Sequence, residues 1–201
     1  MAKINHIIGP RVHEIIRTKV AQILALELAN QAVLTYDDDF SLPIFVHRFK
    51  PVMPDELPIA IVSTNSGSFD NMDIQKSDGK FPIYIDVYNE SFSTATNRAD
   101  SLSSFGAHKI AGCIMGILES PVYLTLDFAP GTIKRTYVES FDGGEMDRQD
   151  GASITVVRVV LMVEAVQVEA LQDAIPFAGN NTTVNLGSSE KGYFYEFNSE
   201  S

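Results

Sequence analysis

The chain has little of three things. Among its 201 residues there is one cysteine, Cys113, and only 15 lysines and arginines stand against 26 acidic residues. Nowhere do 18 apolar residues run together. A single cysteine excludes an internal disulfide and a cysteine-based zinc site, and the apolar helical setting of Cys113 assigns it to the core. A net charge of −11 disfavours a Lys/Arg surface that grips DNA phosphates, while permitting an acidic wall past which DNA slides. Without a long apolar run there is no candidate spanning helix. Met1 to Pro10 lacks the basic start and apolar stretch of a secretory signal. The expectation is a protein made in the cytoplasm, with no membrane partner.

Catalytic signatures are missing too. There is no G-x-S-x-G elbow, H-E-x-x-H pair, phosphate-binding glycine loop or dinucleotide fingerprint. His6, His13, His47 and His108 are scattered without ligand-like spacing. Glu145, Asp147 and Asp150 before Gly151 resemble an oxygen-rich calcium loop, but the alternation and the later bidentate glutamate are absent, so a solvated hairpin tip is expected. The acidic triplet Asp37, Asp38 and Asp39 reads as a solvated turn. No cofactor and no metal are expected.

What the chain does have is a long strand pattern from Gly151 to Val168. The usual strand has about 5 or 6 residues, whereas this run would extend more than about 50 Å in a chain whose compact radius of gyration is about 16 Å. Thr155, Val157, Val159, Leu161 and Val163 fall on one face, and Ile154, Val156, Arg158, Val160, Met162 and Glu164 on the other. Both faces are largely apolar, so cover is needed on both sides. A neighbouring subunit is the favoured source; the alternative is a central strand of one domain with a bulge or bend.

The remaining elements follow from periodicity. Arg11 to Asn30 reads as a helix with Val12, Ile16, Val20, Ile23 and Leu24 on one stripe. Strands are expected at Leu42 to Lys50, Leu57 to Thr64 and Phe81 to Tyr88, with a polar loop from Ser66 to Gly79. A second helix runs from about Thr96 to Leu118, where Asn97 is the expected cap and Gly106, Gly112 and Gly116 imply close packing. Val122 to Phe128 alternates as a strand, and Thr132 to Phe141 leads through an acidic loop into the long strand. The fold class is therefore α+β: a mostly antiparallel sheet with two helices packed on it and a long projecting β-hairpin.

One domain, 1–170, is expected, followed by a C-terminal arm, 171–201, that is polar and aperiodic from Ile175 to Ser189 and ends in an aromatic tail. The candidate subunit and partner contacts are Asp142, Glu145, Asp147, Arg148 and Asp150 at the hairpin tip, Arg158 on the long strand, and Tyr193, Phe194, Tyr195 and Phe197 in the tail.

The opening helix IIRTKVAQILALEL, the strand pair IFVHRFKPV and ELPIAIVSTNSG, the strand FPIYIDVYNE, the helix ADSLSSFGAHKIAGCIMGIL and the hairpin TIKRTYVESF with ASITVVRVVLMVEA come in a recognisable order. That order, from Pro10 to Val168, resembles the tail terminator proteins of tailed bacteriophages, including those of lambda-like phages. Arg48 and Leu57-Pro58 match the family's loose signature of a basic strand and a Leu-Pro before an apolar strand. The resemblance implies a virion protein of the tail neck, assembled in the host cytoplasm. It would form a homo-hexameric ring that caps the tail tube and ends tube growth. Its partners would be the tube protein, the head–tail connector or stopper and, in a sheathed tail, the tail sheath, with genomic DNA passing through the ring unbound. The residues beyond Ala170 lie outside the resemblance.

Two other readings remain open. Another neck, stopper or tail-tube ring component would use similar parts. A small hydrolase or carbohydrate-binding domain would use Asp70, Asp73 and Asp86 near Tyr84 and Tyr88, and would need its carboxylates roughly 5 to 9.5 Å apart across a cleft.

Overall fold

Helix α1 spans Val12–Thr35. Its start is fixed by Glu14, whose Oε2 accepts the Arg11 backbone N–H at 2.8 Å, and its end by Tyr36, which adopts the left-handed region with φ 55°. Ile16, Val20, Ile23, Leu24 and Leu28 form its buried stripe. The helix thus continues past the expected stop at Asn30, because nothing between Gln31 and Thr35 breaks it. In the computed structural model the described residues are 10–48, 51–71, 76–147, 152–168, 181–185 and 192–196. They fall in two units, one from Pro10 to Val168 and a second to which 181–185 and 192–196 belong.

The first unit is built on a six-stranded sheet. Its strands are β1 (Ile44–Val46), β2 (Ile59–Ser63), β3 (Ser68–Asn71), β4 (Lys76–Phe92), β5 (Ile133–Asp147) and β6 (Ala152–Val168). Across the sheet the order is β1-β2-β4-β6-β5, with β3 also paired to β4. Only β1 and β2 run parallel; the other pairings are antiparallel. Helix α2, Ala99–Leu118, and α1 bury against the same sheet face, where Phe81, Ile83, Ile85 and Val87 of β4 meet Val157, Val159, Leu161 and Val163 of β6. This is the expected α+β class.

The long strand has both of its edges paired within its own chain and one of its faces covered by the helices. β6 is a central strand: β4 pairs with it from Lys76↔Val168 to Phe92↔Ala152, and β5 flanks it from Ile133↔Ala165 to Asp147↔Ser153. Its backbone partners therefore come from its own chain on both sides. β5 and β6 are adjacent in the chain, and pairing within one chain avoids the freedom lost when two chains associate. The irregularities sit in β5, with register shifts between Ile133 and Arg135 and between Val138 and Ser140.

Other boundaries shift as well. Of Leu42 to Lys50 only Ile44–Val46 is strand, since His47 takes a positive φ of 51°; residues 49 and 50 lie outside the described set. The expected loop Ser66 to Gly79 contains β3 and the start of β4. Backbone pairing does not require apolar side chains, and Gly79 leaves the space over which the Phe81 ring folds. Val122 to Phe128 is not a strand. Ser120 accepts the Val122 N–H on its side chain and Pro121 opens a 3-10 turn, Pro121–Tyr123, and Leu126 and Asp127 have φ of 49° and 59°. The alternation misled because only Leu126 is buried, while Val122 is 74% exposed. Helix α2 begins at Ala99 with Arg98 as its cap residue; Asn97 instead offers its carbonyl to the Thr94 N–H. Of the three α2 glycines, Gly106 is closely approached, by Asn89, whereas Gly112 and Gly116 face open space.

The second unit is described at β7 (Asn181–Asn185) and β8 (Gly192–Glu196), an antiparallel pair. The expected aperiodic arm therefore contains a strand. Its Thr182, Thr183 and Val184 suit extended backbone.

Candidate functional site

The sheet face turned away from the helices is the candidate interaction surface. Alternation puts Tyr84, Asp86 and Tyr88 of β4 there beside Val156, Arg158, Val160 and Met162 of β6. Neither α-helix lies on this face. Tyr84, Tyr88, Val156, Val160 and Met162 are half-buried, Arg158 is exposed, and Asp86 is buried at 7% exposure.

Asp86 and Arg158 organise the centre of the face. Arg158 donates through Nε to Asp86 Oδ1 at 2.6 Å and through Nη2 to Oδ2 at 2.8 Å. The fork geometry satisfies both carboxylate oxygens. The carboxylate holds the Arg158 guanidinium above its ordinary pKa. Arg158 also lies 5.2 Å from the Tyr84 ring centroid, within reach of a cation–π contact. Burial, then the nearby Asp86 charge, push the Tyr88 hydroxyl pKa up, so Tyr88 stays neutral at ordinary pH. The result is an apolar and aromatic surface crossed by ion pairs, Asp86–Arg158 at its centre and Lys80–Glu164 at 3.6 Å toward one end, fitted to packing rather than to proton transfer.

The residues singled out from sequence divide into three groups. Asp142 and Arg158 are brought together as register partners on β5 and β6, so Arg158 lies between Asp86 and Asp142 across three strands. Glu145 and Asp147 are register partners of Thr155 and Ser153; Arg148 and Asp150 lie outside the described residues. Tyr193, Phe194 and Tyr195 are on β8 opposite Val184, Thr183 and Thr182, and Phe197 lies outside the described residues. From sequence the Tyr84, Asp86 and Tyr88 side of β4 is one that meets water or a partner, whereas Val160 and Met162 carry no interface assignment.

Of the hydrolase set, Tyr84, Asp86 and Tyr88 share the outer face of β4, and the Asp70 side chain lies outside the described residues. Asp86 is committed to Arg158, and Asp73 lies outside the described residues. Two described cavities lie elsewhere. One of about 380 Å³ is lined by Glu27, Cys113, Gly116 and Tyr123, and one of about 550 Å³ by Glu14, Arg17, Gln22 and Phe128. In the first, Tyr123 donates to Glu27, which raises the Tyr123 pKa, and burial raises that of Cys113. Among the described residues no group of three His, Cys, Asp or Glu side chains could hold a metal ion, and no helix is long and apolar enough to cross a membrane.

No protein-family model matches the chain, and no curated protein matches it. Among solved structures, a chain from the virion of a native gene transfer agent particle superposes with a TM-score of 0.47 at 14% identity, covering 75% of this chain and 93% of that one. At that level the likeness fixes neither fold nor role.

Proposed function

We propose that this protein is a structural component of a phage-like virion, a tail terminator that forms a hexameric ring, caps the tail tube and presents its other side to the head connector. The observation that carries the reading is the order of elements from α1 to β6 with both helices on one sheet face, which leaves the Tyr84, Tyr88, Val156, Val160 and Met162 face for contact with other chains. Extended, largely apolar faces of this kind are interaction surfaces more often than solvent surfaces. Because β6 is already paired on both sides, subunits join through side-chain packing rather than by lending strands. A rotational, head-to-tail arrangement closes such contacts into a ring. The role is one of surfaces and not of catalysis. The surplus of carboxylates, giving −11 overall, suits a ring through which DNA passes without sticking.

Electron microscopy with sedimentation of the purified chain tests this. Single rings of six times 22.1 kDa are expected, and they should stop growth when added to polymerising tube protein. Long stacked tubes would favour the tail-tube alternative. Chains that neither form rings nor arrest tube growth would overturn the reading.

A further inference from the structure

Helix α1 carries two apolar stripes, and only one faces the sheet. The second runs along its solvent side through Ile15, Leu26, Ala29 and Val33 to Tyr36, with the polar Lys19 and Gln22 on the same line. These seven positions alternate at spacings of four and three residues, the repeat by which one helix seats against another. Leu26 is 67% exposed, Val33 72% and Tyr36 96%. From Val20 to Tyr36 the one charged residue is Glu27, and its carboxylate is taken by the Tyr123 hydroxyl. Lys19, at the other end, is paired with Asp127 at 2.6 Å. A helix that is apolar on both sides is one that is covered on both sides.

We infer that this outer stripe of α1 docks against a second copy of the chain. Charge selects the occupant. Copies that each carry −11 repel one another across most of their surface, and the stretch from Val20 to Tyr36 lets two copies meet without setting carboxylate against carboxylate. A cationic partner would gain nothing from a face stripped of acid. The four-three repeat supplies the packing, and Ala25 and Ala29 allow close approach. The inference deepens the ring reading and rests on it for closure of the contacts into a ring, not for the contact itself.

The test is sedimentation velocity of the full chain over a concentration series, with a Leu26→Arg/Val33→Arg double variant and a Phe105→Arg control on the exposed side of α2. The wild type and the control should associate alike. The double variant should associate roughly tenfold or more weakly, with unchanged circular dichroism. A wild type that stays monomeric, a double variant that assembles like the wild type, or equal loss in the control would each overturn the inference. If the double variant does not fold, hydroxyl-radical footprinting of wild-type Tyr36 decides: protection rising with concentration supports docking, and constant reactivity overturns it. Pairs that never close into rings would sink the ring reading and leave the α1 contact standing.

Discussion

Arg158 on β6 and Asp86 on β4 are direct register partners that form a two-point ion pair, with Nε–Oδ1 at 2.6 Å and Nη2–Oδ2 at 2.8 Å. The carboxylate is the buried partner and the guanidinium the exposed one. That asymmetry sets what each substitution does.

Arg158→Met leaves the Asp86 carboxylate buried without its cation and should cost about 2 kcal/mol of stability, read from urea unfolding. The double variant Asp86→Leu/Arg158→Met should recover most of that loss, because it removes the unpaired charge and keeps the apolar volume. If the two variants are equally unstable, the pair is not the centre of this face.

The turn end of the β5–β6 hairpin is tied to α2 by hydroxyls. Ser103 Oγ lies 2.9 Å from Thr155 Oγ1, 3.3 Å from Ser153 Oγ and 3.1 Å from the Asp100 carbonyl. Ser103 donates toward the Asp100 carbonyl and Ser153 Oγ, which share its one proton, and its lone pairs are open to the Thr155 hydroxyl. Thr155→Val should cost about 1 kcal/mol in the same unfolding measurement, while Thr155→Ser should cost less.

The acidic turn before β1 is tied to α2 through Lys109, which pairs with Asp37 and, at 2.8 Å, with Asp39. The bond to Lys109 holds the Asp37 carboxyl below its ordinary 3.8, and the two carboxylates hold Lys109 above its ordinary 10.5. A depressed carboxyl contributes stability that is present above 3.8 and lost as pH falls through the lowered value. A raised ammonium contributes stability that is present below 10.5 and lost as pH rises through the raised value. Lys109→Met should therefore flatten both limbs of a plot of melting temperature against pH. Salt should shrink the difference, because the groups are near solvent.

The α2 glycines should respond in opposite ways to alanine. Gly112 and Gly116 face open space, so alanine there should raise stability by up to about 1 kcal/mol each through helix propensity. At Gly106 the new methyl would displace Asn89, whose Nδ2 donates to the Ser103 carbonyl at 3.1 Å. The propensity gain there should be cancelled or reversed. Thermal melts of the three single variants separate the cases.

Removing residues 169–201 should leave the melting transition of the Pro10–Val168 unit within a few degrees of the full chain, since the core cluster formed by the described residues lies within that unit. A large drop would mean that the C-terminal residues belong to the core.

Several features were readable from residue order because they are local. The stripe from Ile16 to Leu28 made α1 a helix, and the alternation of Phe81, Ile83, Ile85 and Val87 made β4 a strand with one buried face. The length of β6 and the α+β class followed in the same way. The candidate site was only half legible: Arg158 was singled out, but its partner Asp86 lies 72 residues away, and no periodicity reports a pairing across that distance.

What the sequence by itself determined is the set of elements with their own hydrogen-bonding logic and their apolar faces, because period and propensity act over a few residues. Tertiary structure alone decided that β4 rather than a neighbouring subunit completes β6, that Val122 to Phe128 turns instead of extending, and that α1 keeps an apolar stripe in solvent. The physical reason is that burial is shared among segments distant in the chain. A stripe states that cover is required, and only the packed fold shows which surfaces already have it.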